Sequence, residues 1–459
     1  MSFSLTDIKI VPKKVTFMND FYIEMSNQLF KHLQLSENQN LNVTIGRKTI
    51  TVKVRTIDME DNEILLPEYL LEAFSLPIQN YQFQALVLPE THTLKLGPVI
   101  GLLTNFTENN DEEPYFRSIH LFCEELHDGI TEHGGFFFVF SNDSFFNHGY
   151  YFNNGTWMPA KLPTPDVIYN RIHSRTLELK KEYKQFREKI DRLLIPFFND
   201  RFLSKWEVYE QLIDEVNLSP YIPDTKIFSK EYLYDFIQKY NTIFLKPIHG
   251  SQGRNIIKLT KEQGNQYSLQ TSLKMFPSDL GKKFSLEDIY QQIKPLLQNR
   301  IYVIQQGIPL VSHESSAIDF RILCHKNAHH QWTVTSTVAR IAAKQEFVSN
   351  LARGGTMTRP LAALRTCMSH KKSVEVLALM KELALETASV ISRHSGGITG
   401  ELGIDIGVDF EGKPWLIEVN SKPSKNYEKS RGKVRPSAKA IIQFCTVLAF
   451  DITTVKEES

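Results

Sequence analysis

Apolar and polar positions alternate along the first part of the chain and give way to helical stripes further on. Leu41, Val43 and Ile45 alternate with polar residues, and Ile50, Val52 and Val54 repeat the pattern after Gly46, Arg47 and Lys48. Period-two alternation on both sides of a short glycine-containing link predicts a β-hairpin. Residues 66–77 begin and end on Leu-Pro and predict a short helix bounded by prolines. Residues 1–95 therefore read as a β-rich domain in which no chemistry stands out. From Pro98 the texture changes. Residues 99–103, 135–140 and 165–171 predict three strands, the third opening into a polar loop, and residues 115–126 have helical spacing. Strands alternating with a helix predict a small α/β unit. A charged helix over 176–194 follows, with Leu179, Tyr183, Phe186, Ile190 and Leu193 on one stripe. That stripe predicts a helix packing one domain onto the next. Beyond residue 195, helices and strands alternate. Ser285 and Asp288 predict a helix start, and a long helix over 374–392 stops before Gly396 and Gly397. The expected division is 1–95, 96–195 and 196–450, in an α/β chain.

A chain of 459 residues has room for about three domains. Lys and Arg total 53 against 52 Asp and Glu, a net charge of +1. That balance argues against a general nucleic-acid coat or a polybasic membrane binder, and leaves a local basic site open. No apolar run reaches the ~18 residues of a transmembrane helix. The first residues carry no basic stretch followed by an apolar core. Cys123, Cys324, Cys367 and Cys445 are scattered, with no Cys-x-x-Cys pair. A reduced, cytoplasmic setting with buried or idle thiols is expected, with no nucleic-acid or membrane partner.

The densest chemistry lies in residues 403–420. Glu411 and Gly412 predict a two-residue turn. Ile406 then faces Ile417, and Val408 faces Trp415, as apolar pairs on one face. On the other face Asp405 meets Glu418, Gly407 meets Leu416, and Gly403 meets Asn420. The register that buries the apolar side thus sets two carboxylates opposite each other, which is destabilising unless something offsets it. A divalent cation would do so. Asp405, Glu418 and the Asn420 amide are hard oxygen donors suited to Mg2+ or Mn2+. An edge hairpin whose carboxylates are solvated or neutralised by lysine is the other reading, and a one-residue slip would exchange the faces.

A second signal begins on the apolar strand 242–245, which delivers Lys246 at its end. Gly250, Ser251, Gln252, Gly253 and Arg254 follow before the next strand. Glycines let backbone N–H groups close on an anion, and Lys246 and Arg254 add positive charge. The loop is neither a Walker A loop nor a dinucleotide fingerprint, and a plain strand–turn–strand connection is its simpler reading. Asp319 and Arg321 lie on one further strand, Arg340 ends another, and Ser349, Asn350, Arg353, Gly354 and Gly355 form a polar glycine turn. Arginines on apolar strands need anionic partners if they point inward. Otherwise they point to solvent or pair structurally. Cys324, His325, His329 and His330 match no closed zinc pattern.

Taken in order, these pieces resemble the ATP-grasp superfamily. The resemblance rests on Lys246, the glycine loop after it, Glu418-Val419-Asn420, and Asp405 upstream. Lys205 stands where the superfamily has a first nucleotide lysine. Residues 301–308 stand at its adenine-binding hinge, with either Gln305 or Gln306 turned to the base. Asp319, Arg321, Arg340, Asn350, Gly354 and Gly355 resemble the glutathione synthetase-like branch. Closer still, Leu96-Gly97-Pro98, Gly149-Tyr150, Trp157, Pro165-Asp166, Asn170-Arg171 and Pro423-Ser424 resemble the YheC/YheD family of endospore coat-associated proteins of spore-forming bacilli.

The resemblance implies an ATP-grasp module preceded by a small Rossmann-like domain and the β-rich N-terminal domain. It implies ATP and Mg2+ (or Mn2+) as cofactors. ATP would be held by Lys205, Lys246, Gly250, Ser251, Gln252, Gly253, Gln306 and Ile308, and the metal by Asp405, Glu418 and Asn420. It implies a ligase that phosphorylates an unknown carboxylate for attack by an amine, with Arg321 and Arg340 steadying the acyl-phosphate. The setting implied is the mother-cell cytoplasm or the spore coat, with coat proteins as candidate partners. A kinase on the same fold and a coat-assembly protein that binds ATP without turnover are the alternatives.

Overall fold

The computed structural model describes residues 5–15, 21–35, 40–106, 113–145, 148–250, 253–272, 283–297, 300–314, 316–343, 354–425 and 433–450. Its first seven strands are β1 (Thr6–Lys13), β2 (Tyr22–Ser26), β3 (Leu41–Ile45), β4 (Lys48–Ile57), β5 (Glu63–Pro67), β6 (Tyr81–Leu88) and β7 (Thr93–Gly97). They close into a barrel in the order β1-β5-β2-β4-β3-β7-β6. Closure pairs every strand edge. Alternate residues such as Ile8, Ile10, Val43 and Ile45 fill the interior. The predicted hairpin is β3–β4, turning through Gly46 at φ +57°. The proline-bounded helix spans Glu68–Ala73.

A second sheet holds β8 (Val99–Leu103), β9 (Phe136–Phe140), β10 (Gly149–Asn153), β11 (Thr156–Ala160), β12 (Val167–Asn170) and β13 (Phe197–Phe198), in the order β11-β10-β9-β8-β12-β13. β9, β8, β12 and β13 are parallel neighbours. The antiparallel pair β10–β11 was not expected from periodicity. One face of this sheet packs on the barrel through Val99, Leu103, Phe136 and Phe138. The other lies under the helices His120–Glu132 and Pro436–Phe450. Cover on both faces is why β8 and β9 are apolar throughout. The two helices meet at Gly129, where a Cβ would fall 2.5 Å from Ile442 Cδ1. The charged helix expected over 176–194 is broken into Arg175–Glu178 and Lys181–Arg192. Tyr183, Phe186 and Ile190 are buried, but Leu179 and Leu193 are 71% and 40% exposed. Both sit at helix caps, off the stripe that the break interrupts.

Two antiparallel sheets complete the chain. One holds β14 (Thr225–Ile227), β15 (Thr242–Pro247), β16 (Ile257–Lys261), β17 (Tyr267–Thr271) and β18 (Tyr302–Gln306), ordered β14-β18-β15-β16-β17. The helices Lys230–Lys239 and Leu286–Leu297 back it. Ser285 caps the second of these, its Oγ accepting from the Asp288 N–H at 3.2 Å. The other sheet holds β19 (Ser312–His313), β20 (Ser316–Lys326), β21 (Trp332–Ile341), β22 (Thr356–Thr358), β23 (Glu401–Val408) and β24 (Pro414–Asn420), on the path β22-β21-β20-β23-β24 with β19 on β20. The long helix His370–His394 backs it through Val376, Met380, Ala384 and Ile391.

A buried polar joint ties the second sheet to the last. Glu401, at the start of β23, is fully buried. Its carboxylate accepts from the Tyr169 hydroxyl at 2.6 Å, His325 Nε2 at 3.0 Å and Arg171 at 3.4 Å, and pairs with Lys425. Burial alone would raise the Glu401 carboxyl, but Lys425, His325 and Arg171 outweigh it and hold the group far below its ordinary value. Asn199 stitches the same place. Its amide donates to the Glu401 and Ser421 carbonyls at 2.9 and 2.6 Å and accepts from the Gly400 N–H at 3.0 Å.

Candidate functional site

The hairpin β23–β24 keeps part of the register expected from its sequence. Asp405 stands opposite Glu418, and Gly403 opposite Asn420. The apolar pairs differ: Ile406 faces Leu416, and Val408 faces Pro414. The turn is one residue longer than two. Asp409 Oδ1 accepts from the N–H groups of Glu411 and Lys413 at 3.0 and 2.9 Å, and Gly412 takes φ +83°. A bulge beside Asp405 absorbs the extra residue and restores the carboxylate pairing.

The two carboxylates are offset by cations of the chain itself. Arg321, on β20 next to β23, holds Asp405 through both Nε and Nη2, the latter at 2.8 Å. Arg340, on β21, reaches the same carboxylate at 3.1 Å and grips Asp319 at 2.5 and 2.7 Å. Burial would raise the Asp405 carboxyl, but the two guanidinium groups outweigh it and hold it below its ordinary value. Both inward arginines thus have the anionic partners that burial demands. Glu418 pairs with Lys205. Lys205 opens the helix Lys205–Ile213, which Ser204 caps by accepting from the Glu207 N–H at 3.1 Å.

Lys246 stands at the end of β15 and donates to Gln305 Oε1 at 2.6 Å. Gln305 in turn donates to Thr225 Oγ1 at 3.0 Å. Burial, then the nearby Lys205 charge, lower the Lys246 ammonium to about 8, with Glu418 opposing them. The Lys205 N–H donates to the carbonyl of Ile248, two residues past Lys246, at 3.1 Å, and Glu418 pairs with Lys205, so the three side chains gather at the junction of the last two sheets. Gln305, opposite Phe244, shares the Lys246 face of the sheet, whereas the next residue, Gln306, turns to the other face and accepts from the Asp224 N–H at 3.3 Å. Of the two glutamines left open at the hinge, only Gln305 shares the face of Lys246, because side chains alternate along a strand. Ile308 is half-buried just past β18. Gly250 follows β15 at Pro247, and Gly253 takes φ +65°. Ser251, Gln252, Ser349, Asn350 and Arg353 lie outside the described residues.

Sequence reasoning missed a set of basic side chains at the end of the parallel strand β12. Arg171, His173 and Arg175 follow one another at alternate positions there. The carboxyl ends of parallel strands are where open α/β sheets bind ligands, and that was the available signal. Asn105, past the end of neighbouring β8, accepts from the His173 N–H at 3.1 Å. His173 Nε2 is buried without a hydrogen-bond partner. Burial, then Arg171, Arg117 and Lys422, push this imidazole down to about 4. Lys422, two residues past Asn420, pairs with Glu178. Arg175 contacts His249 Nδ1 at 2.9 Å and donates to the Leu203 carbonyl at 2.5 Å.

The donor set fits a hard divalent cation by chemistry: two carboxylates and one amide oxygen. Asn420 donates its Nδ2 to Asp405 at 3.4 Å, which leaves Oδ1 as an acceptor. Among the described residues no three His, Cys, Asp or Glu side chains converge on one point. No helix of the described residues is long and apolar enough to cross a membrane.

Comparison with known proteins agrees on one family. The model described as YheC/D like ATP-grasp matches residues 194–448. The endospore coat-associated protein YheD of Bacillus subtilis (strain 168) is 28% identical over 410 residues, covering 87% of this chain and 88% of that protein. YheC of the same organism is 25% identical over 299 residues, covering 64% and 80%. Among solved structures, the VanG D-Ala:D-Ser ligase from Enterococcus faecalis superposes at a TM-score of 0.43 with 11% identity, over 78% of this chain and 99% of that one.

Proposed function

Because the chain belongs to the YheC/D-like ATP-grasp family, we propose that it is an ATP- and Mg2+-dependent ligase that activates a carboxylate as an acyl-phosphate for attack by an amine. We place it in the mother-cell cytoplasm or at the spore coat, following the names of its relatives, with coat proteins as candidate partners. The observation that carries the reading is the meeting of Lys205, Lys246 and Glu418 in one cleft, beside an Asp405 flanked by Arg321 and Arg340.

In this reading Lys205 and Lys246 bind the nucleotide phosphates. Gly250, Ser251, Gln252 and Gly253 line the phosphate loop, Gln305 stands on the nucleotide face, and the backbone near Gln306 and Ile308 borders the base. Asp405, Glu418 and Asn420 would hold Mg2+, which when bound neutralises phosphate charge. Lys205 leaves Glu418 for a phosphate as the nucleotide arrives. Arg321 and Arg340 steady the phosphoryl group as it passes from ATP to the carboxylate oxygen, releasing ADP. The amine then attacks the acyl carbon and phosphate leaves. Most of the rate would come from positioning and charge neutralisation.

The test incubates the purified protein with ATP, Mg2+ and small molecules from sporulating cells, with the Glu418→Gln variant as blank. A new amide with ADP and phosphate supports the ligase. A stable phosphate ester with ADP points to a kinase. ATP bound and never consumed points to a coat-assembly role.

Lys246 gives a second expectation. A side chain lowered to about 8 is charged at pH 7 and loses its proton as pH rises. The affinity for a non-hydrolysable ATP analogue should therefore fall between pH 7 and 9. Lys246→Ala should weaken it by about tenfold or more at pH 7 and flatten the pH dependence. Calorimetric titration at three pH values checks both, and an unchanged affinity in the variant removes Lys246 from the site.

A further inference from the structure

We propose that Arg175 reads the γ-phosphate of the bound nucleotide, as a guanidinium delivered to the cleft by the second sheet rather than by either sheet that forms it. The proposal rests on the ATP reading above and adds a residue to it.

Arg175 lies five residues past the end of β12. It is half-buried. One nitrogen meets His249 Nδ1, three residues past Lys246, and another donates to the Leu203 carbonyl, two residues before Lys205. The guanidinium also lies 5.1 Å from the Phe202 ring centroid. These contacts fix it between the two segments that supply the lysines. Burial, then the charge of Glu418 followed by Glu178 and Glu207, act on it.

Each of those three carboxylates is already engaged elsewhere. Glu418 pairs with Lys205, Glu178 with Lys422, and Glu207 with Arg201. Among the described residues Arg175 touches only neutral acceptors. A partly buried guanidinium held by a carbonyl and an imidazole has its charge unanswered, and such a group has an unmet demand for an anion. The three cations Lys205, Lys246 and Arg175 face the single carboxylate Glu418 here, a surplus of two positive charges. A triphosphate would match that surplus. Arg175 sits against Leu203 and His249, beside both lysines proposed for the phosphates, so in the ATP reading the phosphate end of the nucleotide is the part that would meet the guanidinium. Arginine suits that task, because its planar fork holds two phosphate oxygens at once.

The test compares ADP with the non-hydrolysable analogue AMP-PNP by calorimetric titration in Mg2+. Arg175→Ala should weaken AMP-PNP by about tenfold or more and leave ADP within about twofold. Arg175→Lys should recover part of the AMP-PNP loss, as a point charge without the fork. A loss shared equally by both nucleotides would mean a merely structural latch and overturns the proposal, as does no loss for either. If Arg175→Ala does not fold, the lysine variant decides: an unchanged ratio of the two affinities overturns the proposal. Wild-type protein that binds neither nucleotide sinks the ATP reading itself, a result distinct from the variant outcomes.

Discussion

Glu418→Gln is expected to remove Mg2+-dependent ATP turnover, with a fall of about a hundredfold to a thousandfold or more in ADP release. Its effect on stability should be small by contrast. The Lys205–Glu418 pair is partly solvent-exposed, at 19% and 29%, and such pairs contribute about 0–1 kcal/mol. Glutamine keeps the volume and one oxygen but loses the charge that a divalent cation requires. The assay follows ADP release and thermal melting on the same preparation. Turnover near the wild-type rate in a folded Glu418→Gln variant would falsify the assignment of this carboxylate. A folded variant that also ceased to bind nucleotide without metal would instead make Glu418 an organiser of Lys205.

The opposite balance is expected at Glu401. Removing this carboxylate strands Lys425 and Arg171, both nearly fully buried, with no counter-charge. Breaking a buried pair in this way costs about 3–5 kcal/mol. Glu401→Gln should lower the urea midpoint by that equivalent, and the site should loosen with it, since Glu401 shares β23 with Asp405. The pH dependence has a definite sign. The folded-state group is held below its ordinary 4.5, so its contribution is complete above that value and is lost as pH falls below it. The gap between wild type and variant should thus be full at pH 7 and narrow in acid. A gap that is constant from pH 7 down to 3 would show that packing, not charge, is what Glu401 supplies.

Much of this was legible in the residues because local patterns decided it. The alternation at β3 and β4, the Ser285 cap and the pairing of Asp405 with Glu418 follow from neighbours close in sequence. The apolar pairing of the same hairpin did not follow, because Asp409 folds its side chain over the turn and a bulge takes up the extra residue. The site residues drawn from strands and loops far apart were harder. Arg321 and Arg340 could be argued to need anions, but nothing local said that both would choose Asp405. Arg175 carried no motif, since its meaning lies in Leu203 and His249, which only the tertiary fold brings to it. Glu401 was invisible for the same reason: its partners come from β12, β20 and the segment after β24.

The helix Pro436–Phe450 lies on the second sheet and on His120–Glu132, and its last turn reaches the barrel, where Lys95 pairs with the Ala449 carbonyl. Chains are synthesised from the N-terminus, and domains tend to fold as they emerge. Here the part of that cover supplied by Pro436–Phe450 arrives only about 240 residues after the second sheet ends at β13. Ile100, Phe137 and Val139 have only His120–Glu132 over them until Ile441 and Phe444 arrive. The barrel can form early, whereas the sheet beside it is completed last, so a chaperone that shields aromatic strands should engage nascent chains stalled before residue 436 and release full-length ones.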